Sequence, residues 1–155
     1  MSEARQRTEL SREECMLLLG EVPLGRVVFT HRALPAIRPA NHLVEADQII
    51  IRASLGSAVS NRAGHDGGTI VAYQADLIDA AERLGWSIVV IGRAGHVTDL
   101  TEIDRYRRAL QSWVTAESDD IIAIRADMVT GFRLVPAEPQ ARAGDGPWRA
   151  AGPLA

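Results

Sequence analysis

The chain has 155 residues, a formal net charge of −3 and an apolar content of 46%, a size and composition that suit one domain with a real core. Mild acidity argues against a nucleic-acid binder, and the absence of lysine excludes both a Schiff-base lysine and a P-loop lysine. Cys15 is the only cysteine, so an intrachain disulfide and a cysteine-rich metal site are excluded as well.

The first predicted element is a helix that begins at Ser11, after polar residues 1–9 that are expected to fray. Glu14 follows Ser11 at the spacing of a capping box, and Gly20 is a suitable C-terminal stop. Cys15 is interpreted as a small core residue rather than a nucleophile. Since the sequence shows neither an apolar signal segment nor a stretch of membrane-spanning length, we expect a cytoplasmic protein without a membrane partner.

Four strands joined by short turns are predicted next. Their bounds are Gly25–Thr30, Leu34–Ile37, His42–Glu45 and Gln48–Arg52. The prolines at 35 and 39 make the second strand short or place it at a sheet edge. A meander of this kind can close into a small barrel.

The end of the fourth strand has the composition of an anion-binding corner. Arg52 follows three isoleucines and precedes the small-residue turn over 53–58. A guanidinium gives forked donors, serine hydroxyls also donate, and Gly56 lets the backbone come close to a ligand. Ser54 is expected to cap a short helix over 55–61, whose free N–H groups would face the same anion. A phosphate-bearing ligand is the functional interpretation, and an ordinary Ser-Gly turn is the structural alternative.

The second half of the chain is predicted to contain more strands and one clear helix. Strands are expected at 69–76, 87–96, 121–125 and 129–134, the last two as a hairpin, with a helical segment or a turn over 77–84. The near-continuous apolarity of 87–96 predicts burial on both faces, by the barrel inside and by a helix or a partner subunit outside. From Asp99 an apolar stripe at steps of three and four predicts a helix that reaches Trp113. Residues 136–155 are expected to be a flexible tail.

In their order and spacing, these features resemble the pyridoxamine 5′-phosphate oxidase-like flavin-binding proteins, and most closely the branch that includes nitroimidazole-resistance proteins. The resemblance covers about residues 10–134 and rests on LSREECMLLL, GRVVFT, PAIRPANHLV, IIIRASLGSAV, VAYQAD, GWSIVVIGRAGHVTD and IIAIRADMVTGFRLV. It implies a mainly β (α+β) domain over 10–135. The expected fold is a six- to seven-stranded antiparallel split β-barrel, with an N-terminal helix and a helix near 99–113.

The resemblance also implies FMN at the interface of a homodimer. Residues 38–41 would line the isoalloxazine edge, largely through backbone groups, and residues 51–53 would run beneath the ribityl chain. Ser54, Gly56 and Ser57 would meet the phosphate. The implied cofactor-binding residues are Arg38, Pro39, Ala40, Asn41, Ile51, Arg52, Ala53, Ser54, Gly56, Ser57, Ala58 and Trp86. Trp113 lies where the partner subunit often contributes, but its place in the apolar stripe favours a core position.

One position departs from the family's pattern. The family's phosphate corner commonly reads Gly-Ser/Thr-Lys, whereas the third position here is Ala58. Loss of a charge-assisted contact costs about 1.5–3 kcal/mol, roughly ten- to hundredfold in affinity, unless Arg52 or Arg62 compensates. The nitroimidazole-resistance branch often has a histidine where this chain has Arg52, so that activity is not carried over.

These observations favour an FMN-dependent oxidoreductase acting on a small organic substrate, with no metal site and with catalytic residues unknown. Flavin chemistry makes few demands on side chains, because the isoalloxazine carries the electrons. The competing hypothesis is a non-catalytic module that binds a flavin, a deazaflavin (F420) or haem, and Ala58 supports it. A vitamin B6 oxidase in the strict sense is disfavoured, because that enzyme's substrate-phosphate residues have no counterpart here. The four histidines are expected at the surface, and His42 lies nearest the implied flavin edge: His31, His42, His65 and His96.

Overall fold

The computed structural model describes residues 4–59, 68–111 and 120–137. This part of the chain contains eight strands, two α-helices and one short 3₁₀ turn. Their bounds are β1 Arg5–Glu9, α1 Arg12–Glu21, β2 Leu24–His31, β3 Leu34–Glu45, β4 Gln48–Ala53, the 3₁₀ turn Gly56–Ala58, β5 Thr69–Asp79, β6 Leu84–His96, α2 Leu100–Ala109, β7 Asp120–Arg125 and β8 Met128–Pro136.

Six of these strands close into an antiparallel barrel. The order is β6-β5-β2-β3-β4-β7, and β7 returns to pair with β6. Strands β8 and β1 extend the sheet beyond β6. The predicted split barrel with two helices is therefore confirmed. The segment over 77–84 is the end of β5, a turn and the start of β6, not a helix.

The predicted hairpin between the last two strands was wrong. Both β7 and β8 run antiparallel to β6 and follow one another along the same edge of that long strand: Ile124 lies opposite Ala94, and Met128 lies opposite Ile91. The backbone between them approaches Gly92 so closely that a Cβ there would overlap the carbonyl oxygen of Arg125. Closure of the barrel therefore depends on glycine at position 92.

Strand β3 is one strand of twelve residues, although its prolines predicted an interruption. It pairs with β2 over Leu34–Asn41 and with β4 over Asn41–Glu45, so among the residues that the structure describes, its first half has a neighbouring strand on one side only. The His42 N–H donates to the Pro23 carbonyl, at 2.9 Å, on the β2 side. By the alternation of an antiparallel ladder, the nitrogens of residues 35 and 39 then face away from β2, where a missing N–H breaks no ladder bond.

Residues 5–9 form strand β1, where the sequence predicted a frayed terminus. The strand pairs with β8 from Arg5 opposite Pro136 to Glu9 opposite Phe132. The Arg5 guanidinium donates to the Glu82 carbonyl at 3.0 and 2.9 Å. Nothing in the composition of RQRTE favours a strand; pairing with β8 holds it in place.

The two helices begin as predicted. Ser11 and Glu14 form a reciprocal capping box, in which the Ser11 N–H donates to Glu14 at 2.9 Å and the Glu14 N–H donates to Ser11 Oγ at 3.2 Å. The Asp99 side chain caps α2 by accepting from the Glu102 N–H at 2.9 Å. Both helices therefore start at positions that the sequence determines locally.

The core has two parts, separated by the barrel wall. The larger part fills the barrel and includes Cys15 and Leu19 of α1, so Cys15 is a core residue as predicted. The smaller part lies outside the wall, where Tyr106 and Leu110 of α2 pack on Ile50. Strand β4 is thus buried on both faces, whereas the outer face of β6 is only partly covered by the described residues.

Replacing Gly92 with alanine tests the closure of the barrel. Overlap with the Arg125 carbonyl should lower the free energy of unfolding by about 1–3 kcal/mol. Gly20→Ala is the matched control, because a Cβ there meets nothing within 4 Å and alanine is favoured in a helix by about 0.5–1 kcal/mol. Urea unfolding followed by circular dichroism measures both variants, and equal losses would contradict this account of the closure.

Candidate functional site

The candidate site centres on Asn41 and Arg52, which lie directly opposite one another on β3 and β4. The Arg52 guanidinium donates to the Leu110 carbonyl at 3.0 Å, and the Asn41 side-chain amide donates to the Gln111 carbonyl at 2.6 Å. Two residues that the resemblance assigns to the cofactor therefore both hold the C-terminal end of α2.

The alternation of β3 and β4 explains this placement. Asn41 shares the outer face of the barrel with Leu43, and Arg52 shares it with Ile50, which is the face that α2 covers. The last carbonyls of a helix have no partner within the helix and carry partial negative charge. Arg52 supplies the cationic donor that such carbonyls favour. Its positive charge is therefore directed at the carbonyl oxygens at the end of α2.

The corner after β4 folds differently from the expected capped helix. Leu55, not Ser54, precedes the 3₁₀ turn, and no side chain caps it, so the predicted Ser54 cap was wrong. Leu55 and Val59 are buried in the barrel core, which pulls the chain across the barrel end. Ser54 and Gly56 remain exposed, and Gly56 has a φ of +58°, a conformation that side chains disfavour.

Several implied cofactor residues have side chains that point away from the surface. Ala40, Ile51, Ala53 and Trp86 are buried in the barrel core, so they can offer a ligand only backbone groups. Along the paired rows of the barrel, Trp86 on β6 is separated from Arg52 on β4 by β5, β2 and β3. Its buried side chain lies among the core residues and not at the exposed turn.

The remaining implied residues are distributed around the corner and the edge of β3. Arg38 and Pro39 are exposed, and the Arg38 guanidinium donates to the Ile37 carbonyl at 3.2 Å. Ser57 and Ala58 lie in the 3₁₀ turn, with Ala58 partly buried. Other residues named in the sequence interpretation lie outside the described part of the chain: Arg62, His65 and Trp113.

His42 is buried in the barrel, with 5% of its surface exposed, so the expectation of a surface histidine was wrong. Its Nε2 lies 2.7 Å from the Leu19 carbonyl oxygen, and its Nδ1 lies 2.5 Å from the Tyr73 hydroxyl. That hydroxyl is also 3.1 Å from the Ala40 carbonyl oxygen. Burial lowers the pKa of His42, while its contact with the Leu19 carbonyl raises it by a smaller amount.

Helix α2 is anchored to β3 by a second group of polar contacts. Arg105 binds both carboxylate oxygens of Glu45 at 2.8 Å, and the Tyr106 hydroxyl donates to the same carboxylate at 3.1 Å. The hydrogen bonds from Arg105 lower the pKa of Glu45, and their reciprocal effect raises the pKa of Arg105. This anchor keeps the C-terminal end of α2 over the register pair of Asn41 and Arg52.

A surface cavity of about 490 Å³ lies between β1, β6 and β8. Its lining includes Arg7, Glu9, Ser87 and Thr130, and the Arg7 guanidinium stacks 4.1 Å from the centre of the Phe132 ring. This volume is within the range of small-molecule sites. Sequence reasoning missed the cavity because one wall is β1, which was expected to be frayed.

A signal for the buried histidine was present in the sequence. Ala40, His42 and Val44 alternate along β3, a spacing that puts all three on one face of the strand. His96, also expected at the surface, has a side chain only 15% exposed, and its Nδ1 lies 3.8 Å from an Asp120 carboxylate oxygen. Both histidine side chains are therefore fixed by contacts with other residues of the folded chain.

Comparison with known proteins establishes the family to which the chain belongs. Residues 11–144 match the pyridoxamine 5′-phosphate oxidase family, and the chain belongs to that family, as the sequence resemblance predicted. The uncharacterised protein Rv0080 of Mycobacterium tuberculosis (strain ATCC 25618 / H37Rv) is 48% identical over 134 residues, which are 85% of this chain and 88% of that protein. No helix within the described ranges is long and apolar enough to cross a membrane.

Solved structures share the fold. A candidate pyridoxamine 5′-phosphate oxidase of Corynebacterium glutamicum superposes with a TM-score of 0.67 at 24% identity, over 85% of this chain and all of that one. The FAD binding protein of Mycobacterium smegmatis gives 0.59 at 28% identity, over 83% of this chain and 98% of that one. A candidate 5-nitroimidazole antibiotic resistance protein of Bacteroides thetaiotaomicron gives 0.60 at 12% identity, over 85% and 90% of the two chains. The fold is therefore shared with the predicted branch.

Replacing Arg52 with alanine tests its hold on α2. Loss of the charged donor to the Leu110 carbonyl should lower the free energy of local opening at the end of α2 by about 1–3 kcal/mol. Hydrogen exchange at the Leu110 amide, which donates to the Tyr106 carbonyl at 2.8 Å, measures that opening.

Arg108→Ala is the matched control for that experiment. Its guanidinium is 80% exposed and pairs with Asp104 within α2, and exposed pairs of this spacing contribute only about 0.3–0.5 kcal/mol. Equal protection of Leu110 in the two variants would contradict the assigned role of Arg52.

Proposed function

We propose that this protein binds FMN at the corner that follows β4 and acts as an oxidoreductase on a small organic substrate in the cytoplasm. The observation that carries the proposal is the juxtaposition of Arg52, Asn41 and the exposed turn at Ser54 and Gly56. Membership of the pyridoxamine 5′-phosphate oxidase family supports it, as does the similarity to the FAD binding protein of M. smegmatis.

The residues at the corner fit the phosphate end of such a cofactor. Arg52 brings a guanidinium to the end of β4, the Ser54 side chain is exposed beside it, and Gly56 leaves its backbone accessible. Among the described residues, no strand pairs with the outer edge of β3 over residues 35–39, because β2 lies on the other side; the Ile37 N–H and the backbone carbonyls of this edge are the proposed contacts of the flat ring. Bound flavin would supply the electron transfer, while the chain supplies binding and orientation.

Arg52 has two competing uses in this proposal. In the structure one of its donors serves the Leu110 carbonyl, and an anion at the corner would draw on the same guanidinium. A planar fork with five N–H donors can serve a helix end and a phosphate together. Arg52 thus joins ligand binding to the position of α2, and replacing it should weaken both.

We also propose a homodimer, formed through the outer face of the barrel. One row of side chains crosses five strands in register: Ile37 of β3, Val28 of β2, Ala72 of β5, Ile91 of β6 and Met128 of β8. The exposed fractions of Ile37, Ile91 and Met128 are 57%, 37% and 59%. A contiguous apolar row of this kind is typical of a surface that binds another protein.

A second copy of the chain is the partner that suits this row. Arg26 and Gln74 flank it on the same face, with the Arg26 guanidinium 3.5 Å from the Gln74 side-chain oxygen, which supplies a polar rim around an apolar centre. A two-fold axis through the row would bury it against itself. It would also cover β6 from outside, as the continuous apolarity of that strand predicted, and bring the cavity between β1, β6 and β8 beside the partner subunit.

Replacing Ile91 with aspartate tests the homodimer. A charge at the centre of the row should convert a dimer into monomers, because burying it unpaired costs several kcal/mol. Sedimentation equilibrium measures the mass. Leu100→Asp is the control, since Leu100 is 82% exposed on α2 and lies outside the row; a monomeric wild type, or a dimeric Ile91→Asp variant, would contradict the proposal.

Replacing Ala58 with lysine tests the cofactor site by gain of function. If the 3₁₀ turn receives the phosphate, restoring the family's usual lysine should tighten FMN binding about tenfold or more. Quenching of flavin fluorescence during titration measures the dissociation constants, for FMN and for FAD.

Ala80→Lys is the matched control for that titration. It adds the same charge at an exposed position at the far end of β5, and FMN affinity should stay within about twofold of wild type. Equal effects of the two lysines would indicate nonspecific attraction, and no binding by any variant would refute a flavin site at this corner.

The second candidate function is a non-catalytic module that binds a flavin, a deazaflavin or haem. Ala58 at the family's lysine position favours it, because weak retention of phosphate suits sensing or carrying better than repeated turnover. Oxidation of a nicotinamide donor by the FMN-loaded protein separates the two functions. Sustained turnover supports the oxidoreductase, and a bound cofactor without turnover supports the module.

A further inference from the structure

The chain of polar contacts from Leu19 through His42 and Tyr73 to Ala40 has fewer hydrogens than acceptors. The Leu19 carbonyl can only accept, so the His42 Nε2 that faces it at 2.7 Å must carry a hydrogen. In a neutral imidazole the other nitrogen, Nδ1, is then an acceptor. The Tyr73 hydroxyl therefore donates to Nδ1, and its single hydrogen is not available to the Ala40 carbonyl.

Protonation of His42 reverses this arrangement. Both imidazole nitrogens then donate, so the Tyr73 oxygen becomes the acceptor for Nδ1–H. The hydroxyl hydrogen of Tyr73 has one remaining acceptor in the chain of contacts, the Ala40 carbonyl at 3.1 Å. Protonation of His42 therefore creates a new hydrogen bond, from the Tyr73 hydroxyl to the carbonyl of the Ala40–Asn41 peptide.

We propose that His42 and Tyr73 are positioning residues, which transmit the charge state of His42 to the Ala40–Asn41 peptide and so set the affinity for flavin. The inference rests on the proposed function, because this peptide directly follows the edge of β3 proposed to hold the ring and lies within residues 38–41, which the family resemblance assigns to the isoalloxazine. It also adds to that function, since neither side chain touches the ligand in the arrangement described above.

The residues that pack around His42 leave it as the group that titrates. Helix α1 presents the Leu19 carbonyl to His42, and the same helix carries the thiol of Cys15, whose pKa is raised mainly by burial. Strand β5 presents Tyr73, whose pKa is also raised by burial, and Arg26 of β2 opposes that rise only in part. Thiol and phenol therefore remain neutral across the range in which a histidine changes charge.

A glycine keeps the Tyr73 hydroxyl in place. Gly25 of β2 lies opposite Ala40, and a Cβ at position 25 would overlap the hydroxyl and ring carbon of Tyr73. The close approach of Tyr73 to β3 therefore depends on the missing side chain. The chain of contacts from Leu19 through His42 and Tyr73 to Ala40, called the relay below, therefore depends on the packing of three strands and a helix.

The direction of the pH effect follows from burial. Because the pKa of His42 is lowered in the folded protein, its contribution to stability is complete above the unfolded value of about 6.5 and is lost as the pH falls from there towards the folded pKa. A flavin over the neighbouring peptide would exclude more water and disfavour the cation further. By linkage, protonation then weakens flavin binding, by about two- to tenfold if one hydrogen bond is exchanged.

Nuclear magnetic resonance of the full chain without flavin tests the relay itself. At neutral pH the His42 imidazole should be the tautomer with hydrogen on Nε2. As the pH falls, the Ala40 carbonyl carbon and the Asn41 amide should shift with the same midpoint as the imidazole. The other neutral tautomer, or a peptide that ignores the titration of His42, would overturn the proposal.

Tyr73→Phe removes the hydroxyl and retains the ring. In this variant His42 should still titrate, but the Ala40–Asn41 peptide should no longer follow it. Tyr106→Phe is the matched control, because its hydroxyl bonds Glu45 at the surface, and the coupling should persist there. If Tyr73→Phe does not fold, the wild-type tautomer and the shared midpoint still decide the question.

A second experiment measures FMN affinity from about pH 7.5 down to about pH 4.5, because burial lowers the pKa of His42 below its ordinary value of about 6.5. Circular dichroism verifies folding at each pH. The phosphate of FMN itself gains a proton at about pH 6, so all three proteins should lose some affinity at low pH. The expected result is a steeper loss in wild type and in Tyr106→Phe than in Tyr73→Phe. Identical profiles for the two tyrosine variants would overturn the positioning role. If the relay titrates as described but FMN fails to bind at any pH, the proposed cofactor is wrong, and so is the role of the relay in its binding.

Discussion

Burial of β4 on both of its faces is the constraint on which the rest of the structure depends. Ile49 and Ile51 fill the barrel, while Ile50 lies under α2. Fully burying each of these side chains stabilises the fold by about 1.5–3 kcal/mol. A shift of one residue would exchange the two faces, so the register of β4 is strongly specified. Arg52 therefore emerges on the helix side, opposite Asn41, and the chain must turn at Ser54.

That register explains why the candidate site is more than a polar turn. The end of α2 brings two carbonyl oxygens to side chains that the barrel has already fixed, and the ion pair of Arg105 with Glu45 holds the helix at the other side. The described structure thus joins the corner, the register pair and the helix end into one unit. A ligand that engages Arg52 acts on all three, whatever the chemistry of the bound group.

The sequence predicted those features that depend on local or strand-by-strand patterns. The capping box of Ser11, the start of α2 at Asp99 and the strand of three isoleucines follow from neighbours a few residues apart, and their order along the chain is enough to indicate the split barrel. The implied cofactor residues Asn41 and Arg52 do lie together, since they belong to adjacent strands of one hairpin.

Features that depend on distant partners could not be predicted from one sequence. Strand β1 exists only because β8 offers it an edge, and β7 and β8 share the edge of β6 instead of pairing with each other. The predicted Ser54 cap was wrong because Leu55 and Val59 are buried in the barrel core, and the chain between them forms a short 3₁₀ turn instead of a helix. His42 was assigned to the surface because the four histidines are scattered through predicted turns and loops, although its alternation with Ala40 places it inside.

The central claim is that a flavin binds at the corner after β4, and the most direct measurement is a titration of the isotope-labelled protein with FMN, read by amide chemical shifts. The account predicts saturable shifts at Asn41, at residues 52–56 and at Leu110, at the end of α2. An unchanged spectrum, or shifts confined to the cavity between β1, β6 and β8, would contradict it.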